Sequence, residues 1–266
     1  MQKDIYQHPY FLKIPMTKLD DNFLEKYSRQ IMMNEVGIEG QKRISSSSVS
    51  IIGCGGLGTS AAQYLAMSGV SNLTLIDHDH VTLSNLNRQT LFTEKDLGCS
   101  KTETLSKRLK EINSNIKIDN SKVRLNENNI NKLISKNSIV LDCTDNFQSR
   151  FTINNFCHKK KYILVSSALQ NFEIQSFIFA SWKNKKNPCY NCIFPNYEND
   201  DDLSCEQMGI ISTVAGLGGI FQATLVLNYL LNLKTNFREF IMFDCLNLNL
   251  KKIKIKKNCH CKICVD

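Results

Sequence analysis

The residues with the clearest chemical use form the turn Gly53-Cys54-Gly55-Gly56-Leu57-Gly58. The turn follows the short run Val49-Ser50-Ile51-Ile52, which predicts a strand. It leads into Thr59 to Ser68, which predicts a helix closed by Gly69. A strand, a glycine turn and a helix bring backbone N–H groups and a helix N-terminus against phosphate. Gly55 and Gly56 are expected to supply positive φ and close approach. Asp77 ends the next apolar run, Leu73-Thr74-Leu75-Ile76. A carboxylate at about that distance from the turn can accept ribose hydroxyl hydrogen bonds. These features alone read as an adenine-nucleotide site, and NAD fits them as well as ATP. A purely structural glycine turn is the plainer alternative.

Three later features favour ATP. The run Ser84-Asn85-Leu86-Asn87-Arg88-Gln89 offers a guanidinium among amides, Lys101 opens a predicted helix, and Asp142-Cys143-Thr144-Asp145-Asn146 closes a predicted strand. Hydride transfer has no use for two phosphate-clamping cations and a free aspartate. Attack at a phosphoryl centre does: cations stabilise charge on the phosphates, and an aspartate such as Asp145 can hold Mg²⁺. Each residue singly reads as a surface Arg, a surface Lys or a strand-end Asp. Their order and spacing together point to the phosphoryl chemistry.

The chain has 11 cysteines. No secretory signal precedes them, so a disulfide framework is not expected and a cytoplasmic location is. Two C-x-x-C pairs, Cys189/Cys192 and Cys261/Cys264, offer four thiolates in knuckle spacing, which suits tetrahedral Zn²⁺ in a structural site. Only the fold can bring pairs so far apart in sequence together. Cys259 and His260 read as bystanders, and Cys54, Cys99, Cys143, Cys157 and Cys245 as small packing residues.

The elements that must position these groups are legible in outline. Helices are expected over 23–35, 59–68 and 101–112. Strands are expected over 49–52, 73–77, 138–142, 162–166, 174–180 and 239–243, with a Ser- and Asn-rich loop over 82–90. Strands alternating with helices predict an α/β, Rossmann-like fold with a largely parallel sheet, an antiparallel C-terminal part and a zinc knuckle. Residues 1–22 read as a flexible leader and 23–266 as one domain, with a nucleotide half over about 45–150 and a second half over about 151–266. The polar, acidic stretch Asn196–Asp202 reads as a surface loop.

The net charge is +8. The lysines are scattered, so no nucleic-acid partner is expected. The one dense run, Lys251 to Lys257, alternates with Ile as a strand with one solvated face would, its lysines discouraging edge-to-edge pairing. Ile210 to Leu233 carries no charge, but its glycines and amides predict a buried helix, at a subunit contact, rather than a membrane span.

From about Tyr27 to Cys264 the chain resembles the MoeB/ThiF family, bacterial relatives of ubiquitin-activating enzymes. The matching motifs are Tyr27-Ser28-Arg29-Gln30-Ile31, the glycine turn, Leu83 to Gln89, Leu141 to Asn146, Cys189-Tyr190-Asn191-Cys192 and Cys261-x-x-Cys264. The resemblance implies an adenylyltransferase that uses ATP and Mg²⁺. It would activate the C-terminal glycine of a small ubiquitin-like sulfur carrier with a diglycine tail, ThiS- or MoaD-like, and release pyrophosphate. By motif position, Gly53, Gly55, Gly56 and Gly58 form the nucleotide turn, with Gly56 packed on the nucleotide, and Asp77 holds the ribose. Asn85, Arg88 and Lys101 contact phosphates, and Asp145 ligates Mg²⁺ beside Asn146. Arg29 acts on the partner's nucleotide, which implies a homodimer. The two cysteine pairs meet in one Zn²⁺ site.

Family members also carry a cysteine at Cys205, where ThiF-like members can form a sulfur-linked adduct and MoeB-like members do not depend on it. Acidic neighbours at Asp200 to Asp202 and Glu206 work against a reactive thiolate there. The leader has no counterpart in the shortest members. No rhodanese-like extension follows Cys264, so a separate sulfur donor is implied. Thiamine and molybdopterin synthesis and tRNA thiolation stay open as pathways, with Cys192-Ile193-Phe194-Pro195 leaning towards thiamine. The alternatives are an NAD-dependent oxidoreductase, which leaves Arg29, Arg88, Lys101 and Asp145 without a task, and a non-catalytic scaffold of the same fold.

Overall fold

The computed structural model describes residues 20–195 and 209–265, so Cys205, the acidic loop and most of the leader lie outside the described residues. The first strand, β1 (Ser48–Ile52), enters the glycine turn, and α3 (Gly56–Ser68) leaves it, closed by Gly69 at φ 100°. Two helices precede them, α1 (Asp21–Ile31) and α2 (Gly37–Ser45). Asp20 caps α1 by accepting from the Phe23 N–H at 2.7 Å, so the helix starts two residues before the expected one. The helix expected over 23–35 ends at Ile31, and the rest of that range is a turn that leads to α2 through Gly37 at φ 54°.

The chain continues through β2 (Asn72–Ile76), α4 (Lys101–Ile112), β3 (Lys117–Ser121), α5 (Ile130–Leu133), β4 (Ile139–Asp142) and α6 (Phe147–Lys160). It then forms β5 (Leu164–Gln170), β6 (Glu173–Phe179), α7 (Tyr190–Ile193), α8 (Ser212–Leu230), β7 (Glu239–Asp244) and β8 (Asn249–Lys254). One sheet holds all eight strands in the order β3-β2-β1-β4-β5-β6-β7-β8. Strands β1 to β5 run parallel, and β6, β7 and β8 add antiparallel neighbours. The fold class read from the sequence is the one observed.

Short, nearly continuous apolar runs give β1, β2 and β4 two buried faces. Val49, Ile51, Leu73, Leu75, Ile139 and Leu141 join a core with α3, α4 and α8. Ile52, Ile76, Val140 and Leu164 join a second core with α5 and α6. Helix α8 is long and apolar enough to cross a membrane by length and composition. Its small residues instead seat it on α3: a Cβ added at Gly219 would lie 2.4 Å from the Leu57 carbonyl oxygen. Strand β8, at the sheet edge, is exposed at all six positions rather than on one face, because neither of its faces is covered.

Strand order reverses between β1 and β4, since the chain winds to one side through β2 and β3 before crossing back. Ligands of open α/β sheets bind outside the carboxyl ends of the strands at such a reversal. Gly53, Asp77 and Cys143 follow the carboxyl ends of β1, β2 and β4.

Candidate active site

A cavity of about 960 Å³ opens at this reversal, lined among others by Gly55, Asp77, Arg88, Lys101 and Asp145. The sequence-predicted residues Gly53, Gly56, Asn85 and Asn146 also line it. Gly58 does not, and neither does Arg29, which is exposed in the last turn of α1.

The turn needs its glycines for reasons that differ from the expected ones. Positive φ falls on Gly53, at 92°, and on neither Gly55 nor Gly56. A Cβ on Gly58 would sit 1.9 Å from the Gly53 carbonyl oxygen, so this glycine lets the first helical turn close on the strand end. A Cβ on Gly56 would meet the Ala215 Cβ at 2.9 Å, so that position makes room for α8. Gly55 is the open one: its nearest neighbour would be Gln89 Nε2 at 3.8 Å.

Asp77 fixes the turn. Its Oδ2 accepts from the Cys54 N–H at 2.6 Å and its Oδ1 from the Asp79 N–H at 2.8 Å. Lys101 is held just beyond. Its backbone N–H donates to the Asp79 carbonyl at 3.1 Å and its Nζ to Asp79 Oδ2 at 3.0 Å, with the lysine side chain only 8 % exposed. Burial works to raise the Asp79 carboxyl. The Lys101 hydrogen bond and charge, helped by His78 and His80, outweigh burial and hold it below the usual carboxylate range. The sequence reading missed Asp79, although the spacing Asp77-His78-Asp79 was there to suggest a second acid facing the lysine.

On the opposite wall, Thr82 and Asn85 form a reciprocal cap around a 3₁₀ turn, Leu83–Asn85. The Asn85 carbonyl accepts from the Arg88 and Gln89 N–H groups at 3.1 and 3.0 Å. Asn85 thus shapes the loop that carries Arg88. The Arg88 Nη1 donates to the Ser84 carbonyl at 2.8 Å and to Asn87 Oδ1 at 3.0 Å. Gln89 is buried, and its Oε1 has no hydrogen-bond partner among the described residues.

The third wall is the turn after β4. Asp142 is buried and accepts from the Thr144 N–H (3.1 Å), the Thr144 hydroxyl (2.6 Å) and the Ser166 hydroxyl (2.7 Å). Arg150 Nη2 donates to the Thr144 carbonyl at 2.6 Å. Asn146 caps α6, accepting from the Ser149 N–H at 2.9 Å, and its Nδ2 donates to Asp145 Oδ1 at 3.2 Å. Asp145 is exposed and lines the cavity. An exposed carboxylate in a cavity that Arg88 and Lys101 also line fits a hard divalent ion shared with phosphates.

The two cysteine pairs do meet. Sulfur separations are 3.9 Å for Cys189–Cys192, 3.5 Å for Cys189–Cys261 and 3.5 Å for Cys192–Cys264. All four Sγ atoms lie within 4.8 Å of one another. A tetrahedral ion with Zn–S bonds of about 2.3 Å sets sulfurs roughly 3.8 Å apart. Cys259 and His260 are exposed and outside the cluster.

Residues 27–263 match the ThiF family. The chain belongs to that family. ThiF-family relatives include the molybdopterin-synthase adenylyltransferase of Salmonella typhimurium, 34% identical over 94% of this chain and 99% of its own length. The sulfur carrier protein ThiS adenylyltransferase of Escherichia coli is 32% identical over 92% of this chain and 97% of its own. The adenylyltransferase and sulfurtransferase MOCS3 of Culex quinquefasciatus is 33% identical over 97% of this chain, which spans 59% of that longer relative. Among solved structures, E. coli MccB with ATP superposes with a TM-score of 0.77 at 20% identity, over 91% of this chain and 79% of its own, a likeness of fold.

Proposed function

We propose that this ThiF-family protein is an ATP-dependent adenylyltransferase that activates the C-terminal glycine carboxylate of a small ubiquitin-like sulfur carrier. The observation that carries the reading is the convergence of the glycine turn, Asp77, Arg88, Lys101 and Asp145 on one cavity. In the reaction the carrier carboxylate attacks the α-phosphate of ATP, the bond to the β-phosphate breaks, and pyrophosphate leaves. Positioning and charge neutralisation dominate such transfers.

The glycine turn and the N-terminus of α3 would receive phosphate through backbone N–H groups, with Gly55 the open position. Asp77 keeps lone pairs for a ribose hydroxyl while it braces the turn. Arg88 and Lys101 flank the cavity and would hold phosphate oxygens; Asn85 supports Arg88 from behind. Asp145 and the nucleotide phosphates would hold Mg²⁺, which neutralises charge on them. Cys189, Cys192, Cys261 and Cys264 would hold a structural Zn²⁺ that ties α7 to the C-terminal segment.

A homodimer completes the reading. Arg29 does not line its own chain's cavity, and the exposed apolar residues Met32, Met33 and Ile38 that follow it in the chain would give a surface for a second copy. The relatives named for molybdopterin synthase and for the sulfur carrier ThiS support a role in molybdopterin or thiamine biosynthesis, with sulfur coming from a separate donor. Incubating the protein with ATP, Mg²⁺ and candidate diglycine-tailed carriers tests this directly. Mass spectrometry should find one carrier bearing a single AMP at its C-terminus. Carriers that all stay unmodified, with ATP turned over regardless, would reject the assignment.

A further inference from the structure

Helix α8 carries no charged residue, and its one fully buried amide, Gln222, lies against the end of β4. Gln222 Nε2 donates to the Asp142 carbonyl at 2.8 Å, and Gln222 Oε1 accepts from the Cys143 thiol at 3.2 Å. An amide costs free energy to bury unless both ends are bonded, and here both are. An apolar side chain would have packed in this helix without that demand. Its bonds go to the two residues that open the turn carrying Asp145.

That turn is also pinned from within β1, β4, β5 and α6. The Cys143 N–H donates to the Ile52 carbonyl at 2.9 Å, Thr144 is bound to Asp142 and Arg150, and Asp145 is bound to Asn146. Gln222 supplies the anchor from the other side of the sheet. The same helix meets the glycine turn where Ala215 faces Gly56, and it meets α3 just beyond, where the Ser60 hydroxyl donates to the Gly216 carbonyl at 2.8 Å. One helix therefore braces both the nucleotide turn and the acid-bearing turn.

We infer that Gln222 is a positioning residue for Asp145, fixing from α8 the strand end that presents the carboxylate to the cavity. The inference rests on the reading of Asp145 as the acid of the adenylation site. Gln222→Met keeps the length of the side chain and removes both hydrogen bonds. In the full-length variant, backbone amides over 143–146 should exchange with deuterium at least about tenfold faster, while those of β2 are unchanged. Carrier-dependent exchange of pyrophosphate into ATP should fall about tenfold in kcat, with KM for ATP within about twofold. Cys143→Ala removes only the thiol bond and should give the same pattern to a smaller degree, which keeps the test open if Gln222→Met does not fold. A folded variant with unaltered deuterium exchange over 143–146 overturns the inference. So does a lower melting temperature with kcat unaltered, since that is the mark of packing alone. Should the wild-type chain show no pyrophosphate exchange, the adenylation reading falls instead, and the deuterium measurement still decides whether Gln222 fixes the turn.

Discussion

Lys101 meets an acid before it meets any phosphate. Asp79 holds its ammonium at 3.0 Å and sits 48 % exposed, so incoming phosphate must compete with a partly solvated carboxylate, not a buried one. Because the Asp79 carboxyl is held low in the folded chain, its contribution to stability is present above the ordinary carboxylate pKa of about 3.9 and is lost as pH falls through the lower folded value. Thermal melts of wild type and Asp79→Asn should therefore differ by a small, constant amount near neutral pH and converge below about pH 4. A difference that grows on acidification would contradict the sign. Asp79 escaped the sequence reading because a loop acid declares no partner until the loop over 77–80 pairs with 98–101. Arg150 and Gln222 were missed for a related reason. Each reads as one more polar residue on its own helix: Arg150 reaches back six residues to a turn carbonyl, and the carbonyl that Gln222 binds is brought to it by the sheet.

At the scale of elements, two devices decide whether the site exists. The first is the closure of α3 onto β1. Gly58→Ala places a methyl 1.9 Å from the Gly53 carbonyl oxygen, an overlap with rigid backbone. Destabilisation at or beyond the upper end of the usual range of roughly 0.5–3 kcal/mol is expected in denaturant melts, together with loss of nucleotide binding. Gly55→Ala, which meets nothing closer than 3.8 Å, should fold normally and serves as the control. The second is the cysteine knuckle. Metal analysis should find about one zinc per chain, and Cys261→Ser should lose it along with thermal stability. A stable, metal-free protein would remove that site.

These devices were legible because glycine turns and C-x-x-C pairs are local patterns. Helix α4 was read at its observed ends, and β1, β2, β4, β6 and β7 within about two residues, since their apolar runs are short and dense. Strand β3, Lys-Ile-Asp-Asn-Ser, was not, because it lies at the sheet edge, buries none of its residues and carries no apolar alternation. Helix α6 went unread because apolar and polar residues are spread around it; its signal was the capping Asn146.

The whole molecule adds the question of how many chains make one site. Arg29 is exposed on α1 and does not line its own cavity, and the exposed apolar residues that follow it in the chain would suit a second copy. In a symmetric dimer each cavity would combine one chain's Asp145 with the other's Arg29. Arg29→Ala and Asp145→Ala should each be inactive alone. Mixed and allowed to exchange subunits, they should regain about a quarter of wild-type activity, because half the dimers are mixed and each then holds one intact site. No recovery in mixed dimers verified by mass would place Arg29 outside the reaction.

Beneath all of these stands the claim that the cavity makes an acyl adenylate from ATP. Its most direct test is the exchange of labelled pyrophosphate into ATP, measured with and without a diglycine-tailed carrier, in wild type and in Asp145→Ala. Exchange that requires the carrier and falls at least about a hundredfold in the variant is the predicted result. Exchange that is absent with every such carrier, or undiminished in Asp145→Ala, would contradict it.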